Sequence, residues 1–216
     1  MNPLVRSSQQ IIPALEAGDR LNRLEFERRY AAMPCLKKAE LIEGTVYMAA
    51  AVRFRHHAQP HALLLTWLSV YATTRPELEV ADNATVRLDL DNEPQPDIIL
   101  RVTEEAGGQS RISEDDYIEG APELIVEIAA STVSYDLHQK FNLYRRHGVQ
   151  EYLVWRVLDG EIDWFCLQEG EYRRQVPDDR GRLSSDRFVG LVLDVKALLD
   201  GNLAQVLAGL NTTLKQ

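Results

Sequence analysis

Residues 124–157 constrain the fold more than any other part of this sequence, because they predict two strands joined by a helix. Residues 124–130 form a short apolar run rich in β-branched side chains, which is typical of a strand covered on both faces. Residues 134–147 carry apolar side chains at helical spacing, and residues 152–157 form a second apolar run. A helix between two such strands makes them parallel, with a right-handed connection. We therefore expect an α/β or mixed α+β fold with one right-handed β-α-β crossover.

The predicted helix has recognisable signals at both ends. Ser134 can cap it, and Asp136 falls in the first turn, where the helix dipole favours an anion. Gly148 follows the last turn as a stop signal. Lys140 comes four residues after Asp136, so the two side chains share a face that can lean toward the end of the first strand. Asp136 either orients Lys140 or caps the helix, and the cap is the favoured interpretation.

Two acidic residues occur where strands are expected. Glu127 interrupts the apolar run of residues 124–130, and an unpaired carboxylate there would neutralise by taking up a proton. Glu127 therefore needs a partner, which can be a metal ion, a cation or a proton. Asp97 follows Pro96 and opens a predicted strand over residues 98–102, where a proline costs no ladder hydrogen bond.

An acid after proline, a second acid in a later buried strand and a nearby lysine resemble the pattern of the PD-(D/E)xK nuclease superfamily. The longer string over residues 123–152 resembles its Uma-type branch, described as restriction endonucleases. That string reads Glu-Leu-Ile-Val-Glu-Ile-Ala-Ala-Ser, Tyr-Asp-Leu-x-x-Lys and Tyr-Arg-Arg-x-Gly-Val-x-Glu-Tyr. The resemblance covers residues 35–200. The superfamily's lysine normally stands two positions after the strand acid, where this chain has Ala129, so Lys140 is the expected replacement.

The resemblance implies a restriction-endonuclease-like mixed β-sheet with flanking helices. It also implies a metal-dependent endonuclease that hydrolyses phosphodiester bonds, with DNA as the expected substrate. Asp97 and Glu127 would bind Mg²⁺ or Mn²⁺, because a hard ion accepts carboxylates, substrate oxygens and water, and the Ile128 carbonyl would be a further ligand. Lys140 would position or deprotonate the attacking water. Burial should lower the pKa of Lys140 and the two acids should raise it, and the sequence leaves this balance open.

Glu43 and His61 are the accessory candidates beside Asp136. Glu43 falls in a predicted turn between two short strands. It is either a third acid near the metal or, as the turn chemistry favours, a solvated residue before Gly44. His61, at the start of a predicted apolar helix over residues 62–71, best matches the histidine of the family. The histidines around it lack the ligand spacing of a tetrahedral metal site, so phosphate contact is the preferred interpretation.

Basic side chains in two places predict contacts with nucleic acid. The net charge of −9 argues against a general nucleic-acid-binding protein but permits a local basic groove. Arg53 and Arg55 precede the apolar helix, whose N-terminus favours an anion, and Arg145 and Arg146 end the crossover helix. We expect these four arginines to contact backbone phosphates. A solvated surface turn is the alternative for the first two.

Length and composition predict one globular domain. The chain has 216 residues, of which 45% are hydrophobic and 26% charged, as in ordinary soluble proteins. Residues 1–34 are expected to form an N-terminal arm, and residues 35–200 the nuclease-like core, of a single domain over residues 1–216. Cys35 and Cys166 predict neither a disulfide framework nor a zinc site, and no segment resembles a signal peptide or a membrane span. A cytoplasmic protein is expected, and a homodimer would suit cleavage of both strands of a duplex.

Three other interpretations stay open at this point. Glu127 and Lys140 can form a buried ion pair that specifies the fold and catalyses nothing. The chain can be a degenerate nuclease fold that serves as a DNA-binding or assembly module, although it retains all three charged groups. A different metal-dependent hydrolase on the same scaffold also fits.

Overall fold

The computed structural model describes residues 11–48 and 51–211. In chain order the strands are β1 (Ala39–Ile42), β2 (Thr45–Met48), β3 (Leu78–Asp82), β4 (Val86–Arg87), β5 (Ile98–Val102), β6 (Arg111–Ile112), β7 (Ile118–Glu119), β8 (Leu124–Ala129), β9 (Glu151–Arg156), β10 (Glu161–Gln168), β11 (Glu171–Arg174), β12 (Arg182–Ser184) and β13 (Val192–Asp194). The helices are α1 (Arg23–Ala31), α2 (Gln59–Ala72), α3 (Phe141–Arg146), α4 (Val195–Leu199) and α5 (Leu203–Asn211). In this part of the chain, no helix is long and apolar enough to cross a bilayer.

Two π-helical segments run directly into α-helices. Phe54–Ala58 precedes α2, and Tyr135–Lys140 precedes α3. Residues 135–146, the second π-helical segment together with α3, are called the crossover helix. Its last turn is followed by Gly148, which has a φ of 79°, so the predicted stop signal lies where the chain leaves the helix.

Six strands form a mixed sheet in the order β11-β10-β9-β8-β5-β3. Strands β8 and β9 are parallel, and the crossover helix connects them. The other neighbouring strands are antiparallel. The predicted strand-helix-strand unit within a mixed sheet is therefore confirmed.

Side chains on the central strands alternate between the two faces of this sheet, because a strand has a period of two residues. On β8, Val126 and Ile128 enter one hydrophobic cluster, whereas Ile125 and Ala129 enter another. Glu127 shares the face of Ile125 and Ala129 by its position. Both faces of the strand are buried, which explains why its sequence is apolar without a polar alternation.

Different helices cover the two faces of the sheet. The face of Val126 is covered by α2, α4 and α5, which contribute side chains such as Trp67 and Val206 to one cluster. The opposite face is covered by α3, with Leu143 and Tyr144, and by the small sheet β4-β7-β6. The crossover helix, which includes α3, therefore lies on the face of the sheet that carries Glu127. Each large side chain that is fully buried on either face stabilises the fold by roughly 1.5–3 kcal/mol.

Strands β1 and β2 form the predicted hairpin around Glu43 and Gly44. These two turn residues have φ values of 50° and 70°, as a two-residue hairpin turn requires. A separate hydrophobic cluster joins Phe26 of α1 to Leu41 and Val46 of the hairpin. Helix α1 therefore packs on the hairpin that brings β1 to the sheet.

Candidate active site

The register between β5 and β8 brings the two predicted acids together. Ile98 pairs with Val126 at the end of this antiparallel ladder, so one further step in the same register sets Asp97 opposite Glu127. Residues that are directly opposite share a face of the sheet. The Ile128 N–H donates a hydrogen bond of 2.8 Å to Asp97 Oδ2, so a side chain continues the ladder where the backbone pairing ends. The sheet itself therefore juxtaposes the two carboxylates.

Lys140 reaches the same face from the crossover helix. Its Nζ donates to Glu127 Oε1 at 2.8 Å, and the Tyr144 hydroxyl donates to the same oxygen at 2.9 Å. Lys140 is the last residue of the π-helical segment, and Tyr144 lies in α3. Short π-helical insertions change the direction of the side chains in a helix and are frequent at functional sites. The helix thus directs two polar groups at one carboxylate oxygen.

Glu40 is a third acid in this group, and it is not among the residues predicted from the sequence. Its Oε1 lies 2.9 Å from Lys140 Nζ and accepts the Gln95 N–H at 2.8 Å. Glu40 stands inside β1, all four residues of which are buried. A single acid within a short buried strand is the same signal that identified Glu127, so the signal for Glu40 was present in the sequence.

A lysine and a histidine lie beside Asp97. Lys38 Nζ donates to Asp97 Oδ1 at 3.2 Å and to Asn83 Oδ1 at 2.9 Å. His57 Nε2 lies 3.2 Å from Asp97 Oδ2. These neighbours are 59 and 40 residues away from Asp97 in the sequence, so only the fold brings them to it. No local pattern indicated either contact.

His61, the histidine that the resemblance selected, lies in the first turn of α2. Its Nε2 is 2.9 Å from the backbone oxygen of Asp97 and 3.0 Å from Asp82 Oδ1. The imidazoles of His57 and His61 stack with their ring centroids 5.8 Å apart. His61 thus supports the main chain of Asp97, whereas His57 contacts its carboxylate.

A cavity of about 1180 Å³ opens over these groups, and Asp136 also lines it. The Asp136 side chain is buried, and Ser134 at the start of the helix makes no side-chain cap bond. The structure places Asp136 among the cavity residues near Lys140, and its side chain is hydrogen-bonded to Thr132, just before the helix. Its roles in capping the helix and in orienting Lys140 stay predictions.

The surroundings of Asp97 favour its charged form. Burial opposes ionisation, but the His57 hydrogen bond and the positive charges of Lys38 and Lys140 outweigh it. Together they hold the pKa of Asp97 well below its usual range. Asp97 is consequently an anion across the neutral pH range and can bind a cation without first losing a proton.

The group around Lys140 contains more negative than positive charge. Burial raises the pKa of Glu127, and although Lys140 opposes the rise, three further acids support it. These acids are Asp97, Asp136 and Glu40. Burial alone would lower the pKa of Lys140, but the neighbouring carboxylates raise it well above its usual value. The acids therefore decide the balance that the sequence left open, and Lys140 stays an ammonium.

The chemistry of these donors fits a hard divalent ion. Mg²⁺ is commonly held by one or two carboxylates, with water and substrate oxygens in the other positions, and Asp97 and Glu127 offer two such carboxylates. Three acidic side chains face one buried ammonium, and a divalent ion would balance the charge that they carry when ionised. Among the described residues, no three side chains of His, Cys, Asp or Glu converge as a ready-made metal site.

Glu43 does not join this group of acids. It lies on the exposed hairpin turn and pairs with Arg146, whose guanidinium nitrogen is 2.6 Å from Glu43 Oε1. The solvated-turn interpretation matches this position. The acid of β1 that approaches Lys140 is Glu40, three residues earlier.

The four arginines of the predicted interface lie in two different surroundings. Arg53 lines the cavity, and Arg55 is exposed in the π-helical segment before α2. Arg145 donates to Glu171 at 3.1 Å, and Arg146 pairs with Glu43, as described above. The structure thus puts Arg53 at the acids and engages the two helix arginines in ion pairs elsewhere.

The chain is similar to a known protein family and to a solved structure. The model of the Uma2 family, described as "Putative restriction endonuclease", matches residues 24–196. The crystal structure of a putative nuclease belonging to DUF820 from Anabaena variabilis ATCC 29413 is similar, with a TM-score of 0.61 and 14% sequence identity. That match covers 81% of this chain and 97% of the other. No curated protein matches the chain.

The mixed sheet flanked by helices defines a mixed α+β protein, and its fold is similar to that of the nuclease-like neighbour. The chain belongs to the Uma2 family, so the resemblance seen in the sequence is confirmed. The family match begins within α1, earlier than the expected start at residue 35. At 14% identity, the solved structure supports the fold alone.

Proposed function

We propose that this protein is a metal-dependent endonuclease that hydrolyses phosphodiester bonds in DNA. The observation that carries the proposal is the pair Asp97 and Glu127, set opposite each other at the cavity, with Lys140 2.8 Å from Glu127. Groups of buried acids with perturbed pKa values occur preferentially at functional sites. Membership of a family described as restriction endonucleases supports a nucleic-acid substrate.

Asp97 and Glu127, with the carbonyl of Ile128, would hold Mg²⁺ or Mn²⁺. When bound, such an ion lowers the pKa of a water ligand and neutralises charge on the phosphate. The chain itself supplies the orientation of the ligands. The Ile128 N–H fixes the carboxylate of Asp97, and Tyr144 and Lys140 fix that of Glu127.

Lys140 is assigned the role of positioning, not that of a general base. Its pKa is raised well above the usual value, so it cannot take a proton from water near neutral pH. As an ammonium it orients Glu127 and Glu40, and through them the water that attacks the phosphorus. Asp136 contributes by keeping Lys140 charged, and His61 by holding the main chain at Asp97.

DNA would reach the acids along the side of the cavity that carries Arg53. An acidic protein admits a phosphate backbone only where cations face it, and Arg53 with the neighbouring Arg55 provides such an edge. Two copies of the chain would place two sites on the two strands of a duplex, which is the reason for proposing a homodimer.

Cleavage assays test the proposal. The purified protein should cut DNA with Mg²⁺ or Mn²⁺ and not with EDTA. Asp97→Ala, Glu127→Ala and Lys140→Ala should each lower the rate by roughly 10²-fold or more. The three residues act as one catalytic unit, so the loss of any one of them should cost about as much as the loss of all three. Glu43→Ala removes an exposed acid outside the cavity and should leave the rate unchanged.

Two results would contradict this assignment. Cleavage that survives all three cavity substitutions would come from a contaminant. Binding of DNA without cleavage, in either metal, would identify the protein as a DNA-binding module on a degenerate nuclease fold.

A crystal soaked in Mn²⁺ should show anomalous density between Asp97 and Glu127.

A further inference from the structure

The lysine that the sequence pattern selected is enclosed by acids. The Lys140 side chain is 4% exposed, and its Nζ lies 2.8 Å from Glu127 Oε1 and 2.9 Å from Glu40 Oε1. An ammonium group has three N–H donors, and Lys140 donates one of them to Glu127 while it forms an ion pair with Glu40. The ring of Tyr135 lies on another side, with its centroid 5.4 Å from Nζ. Lys140 is thus arranged as the counter-ion of buried acids.

Lys38 lines the same cavity, but it is more exposed than Lys140 and is held by fewer charged partners. Its side chain is 22% exposed, and its Nζ is 3.2 Å from Asp97 Oδ1, a longer contact than either ion pair of Lys140. The other acceptor of Lys38 is the uncharged amide oxygen of Asn83, at 2.9 Å. Moving an ammonium from these partners to another anion costs less than extracting one from between two buried carboxylates.

The position of Lys38 in the chain explains why it faces the acids. It directly precedes β1, and Glu40 lies two residues later. Residues two apart in an extended segment point to the same side, so the start of β1 delivers one cation to Asp97 and one acid to Lys140. Lys37 precedes Lys38 and is exposed.

The charge of the cavity requires a cation at this place. Its lining includes five carboxylates, which would repel a phosphodiester. They belong to Glu40, Asp82, Asp97, Glu127 and Asp136. A lysine is a compact point charge on a flexible stem and suits a single phosphate oxygen. Lys38 is the partly exposed lysine that contacts one of the two proposed metal-binding acids.

We propose that Lys38 is a further catalytic residue, whose ammonium contacts a non-bridging oxygen of the scissile phosphodiester. Negative charge on the phosphate oxygens must be stabilised in the transition state, and a preformed donor beside Asp97 meets that need. Lys140 then acts as a positioning residue for Glu127 and Glu40. This inference rests on the proposed endonuclease function and names the side chain that touches the substrate.

The test compares two adjacent lysines. Lys38→Met keeps the aliphatic stem and removes the charge, and it should lower kcat by about 10²- to 10³-fold. Lys38→Arg restores a cation and should recover part of the loss. Lys37→Met is the matched control and should stay within about twofold of wild type, since a surface charge outside the site contributes little. Melting curves establish that each variant is folded, and Lys38→Gln replaces Lys38→Met if the latter does not fold.

A binding measurement separates substrate contact from a structural role. With Ca²⁺ in place of the catalytic ion, the affinity for uncut DNA is measured over a range of salt concentrations. Lys38→Met should reduce the slope of log affinity against log salt by about one unit, the value for one lost phosphate contact, and Lys37→Met should not.

The outcomes are distinguishable. A wild type that cuts DNA, with a Lys38→Met variant that cuts equally fast and has the same salt slope, overturns the role of Lys38 and leaves the proposed function intact. A wild type that does not cut DNA in Mg²⁺ or Mn²⁺ overturns the proposed function and this inference with it.

Discussion

At the scale of single residues, Glu127 places a charge inside an apolar strand. Burial raises its pKa, and Lys140 and the Tyr144 hydroxyl both donate hydrogen bonds to one of its carboxylate oxygens. Replacing such a group by a well-packed apolar residue is often neutral or stabilising, so its presence favours a function other than stability. The partner demanded by the sequence pattern is a cation, Lys140, in the absence of bound metal.

Glu127→Gln tests whether this carboxylate is unfavourable without metal. Because its pKa is raised above the ordinary 4.5, the folded protein binds this proton more tightly than the unfolded chain. The stability that comes from this tighter proton binding is fully present below pH 4.5, the ordinary pKa. It is lost as the pH rises from 4.5 through the higher pKa of the folded state. In EDTA the wild type should melt at a higher temperature near pH 5 than near pH 8, and Glu127→Gln should reduce this dependence. At neutral pH the variant should be as stable as wild type or more so, since Lys140 keeps Glu40 at 2.9 Å.

Adding Mn²⁺ to the same melting curves gives the control. An ion that binds only the native state raises the melting temperature of wild type, and Glu127→Gln should lose that increase. Glu43→Gln, on the exposed turn, should retain it. A loss of roughly 3–5 kcal/mol in Glu127→Gln without metal, together with no metal response in wild type, would identify the acids and Lys140 as a structural ion pair.

The sequence allowed the grouping of three candidate residues to be predicted, for a physical reason. Asp97, Glu127 and Lys140 stand in or beside strong local patterns, namely a proline before a strand, an acid in an apolar run and a helix with marked ends. Lys38 reaches Asp97 across 59 residues, and no local pattern encodes such a contact. Glu40 carries the same signal as Glu127, but it stands three residues before Glu43, whose turn position gave the more obvious pattern.

At the scale of elements, the crossover helix carries two tyrosines, of which one hydroxyl is hydrogen-bonded and the other, within the part of the chain that the structure describes, is not. Tyr144 donates to Glu127 Oε1, whereas the buried hydroxyl of Tyr135 has no hydrogen-bond partner among the described residues. Removing a satisfied buried hydroxyl leaves its acceptor short of a partner, but removing an unsatisfied one costs little.

This contrast predicts different effects for two equivalent substitutions. Tyr144→Phe should destabilise the protein by about 1–3 kcal/mol, because Glu127 loses a donor, whereas Tyr135→Phe should be neutral or slightly stabilising. Urea unfolding of the two variants beside wild type measures the difference. Equal losses in both would mean that the tyrosine rings, not the hydrogen bond to Glu127, determine the stability of this helix.

The elements that the sequence predicted well are those with strong periodic signals. The crossover helix and strands β8 and β9 follow apolar patterns that one segment contains by itself. Strand β4, by contrast, has only two residues and pairs in parallel with β7. Its pairing depends on a partner far along the chain, and short polar stretches do not encode such partners.

At the scale of the whole molecule, the distribution of cations decides where the DNA of the proposed function would bind. The chain is acidic overall, with a net charge of −9, and its helix arginines are engaged by Glu171 and Glu43. Arg53 lines the cavity that holds the acids. The basic groove predicted from four arginines is therefore proposed for the Arg53 side alone.

Salt titrations of DNA binding check this proposal. Arg53→Ala should weaken binding and lower the slope of log affinity against log salt by about one unit, because one phosphate contact is lost. Arg145→Ala should leave the slope unchanged, because its guanidinium already donates to Glu171. The reverse result would place the bound DNA over the end of the crossover helix.

The register that sets Asp97 opposite Glu127 also matters while the protein is being made. A slip of one residue between β5 and β8 would turn Glu127 to the opposite face of the sheet, away from Lys140. The charged groups of the candidate site come from β1, the residue before β5, β8 and the crossover helix. A chain emerging from the ribosome therefore holds no complete set until residue 140 has left the exit tunnel and the ladder has closed. For the endonuclease proposed here, this order of events means that no complete site exists beside the messenger and the chromosome until folding is finished.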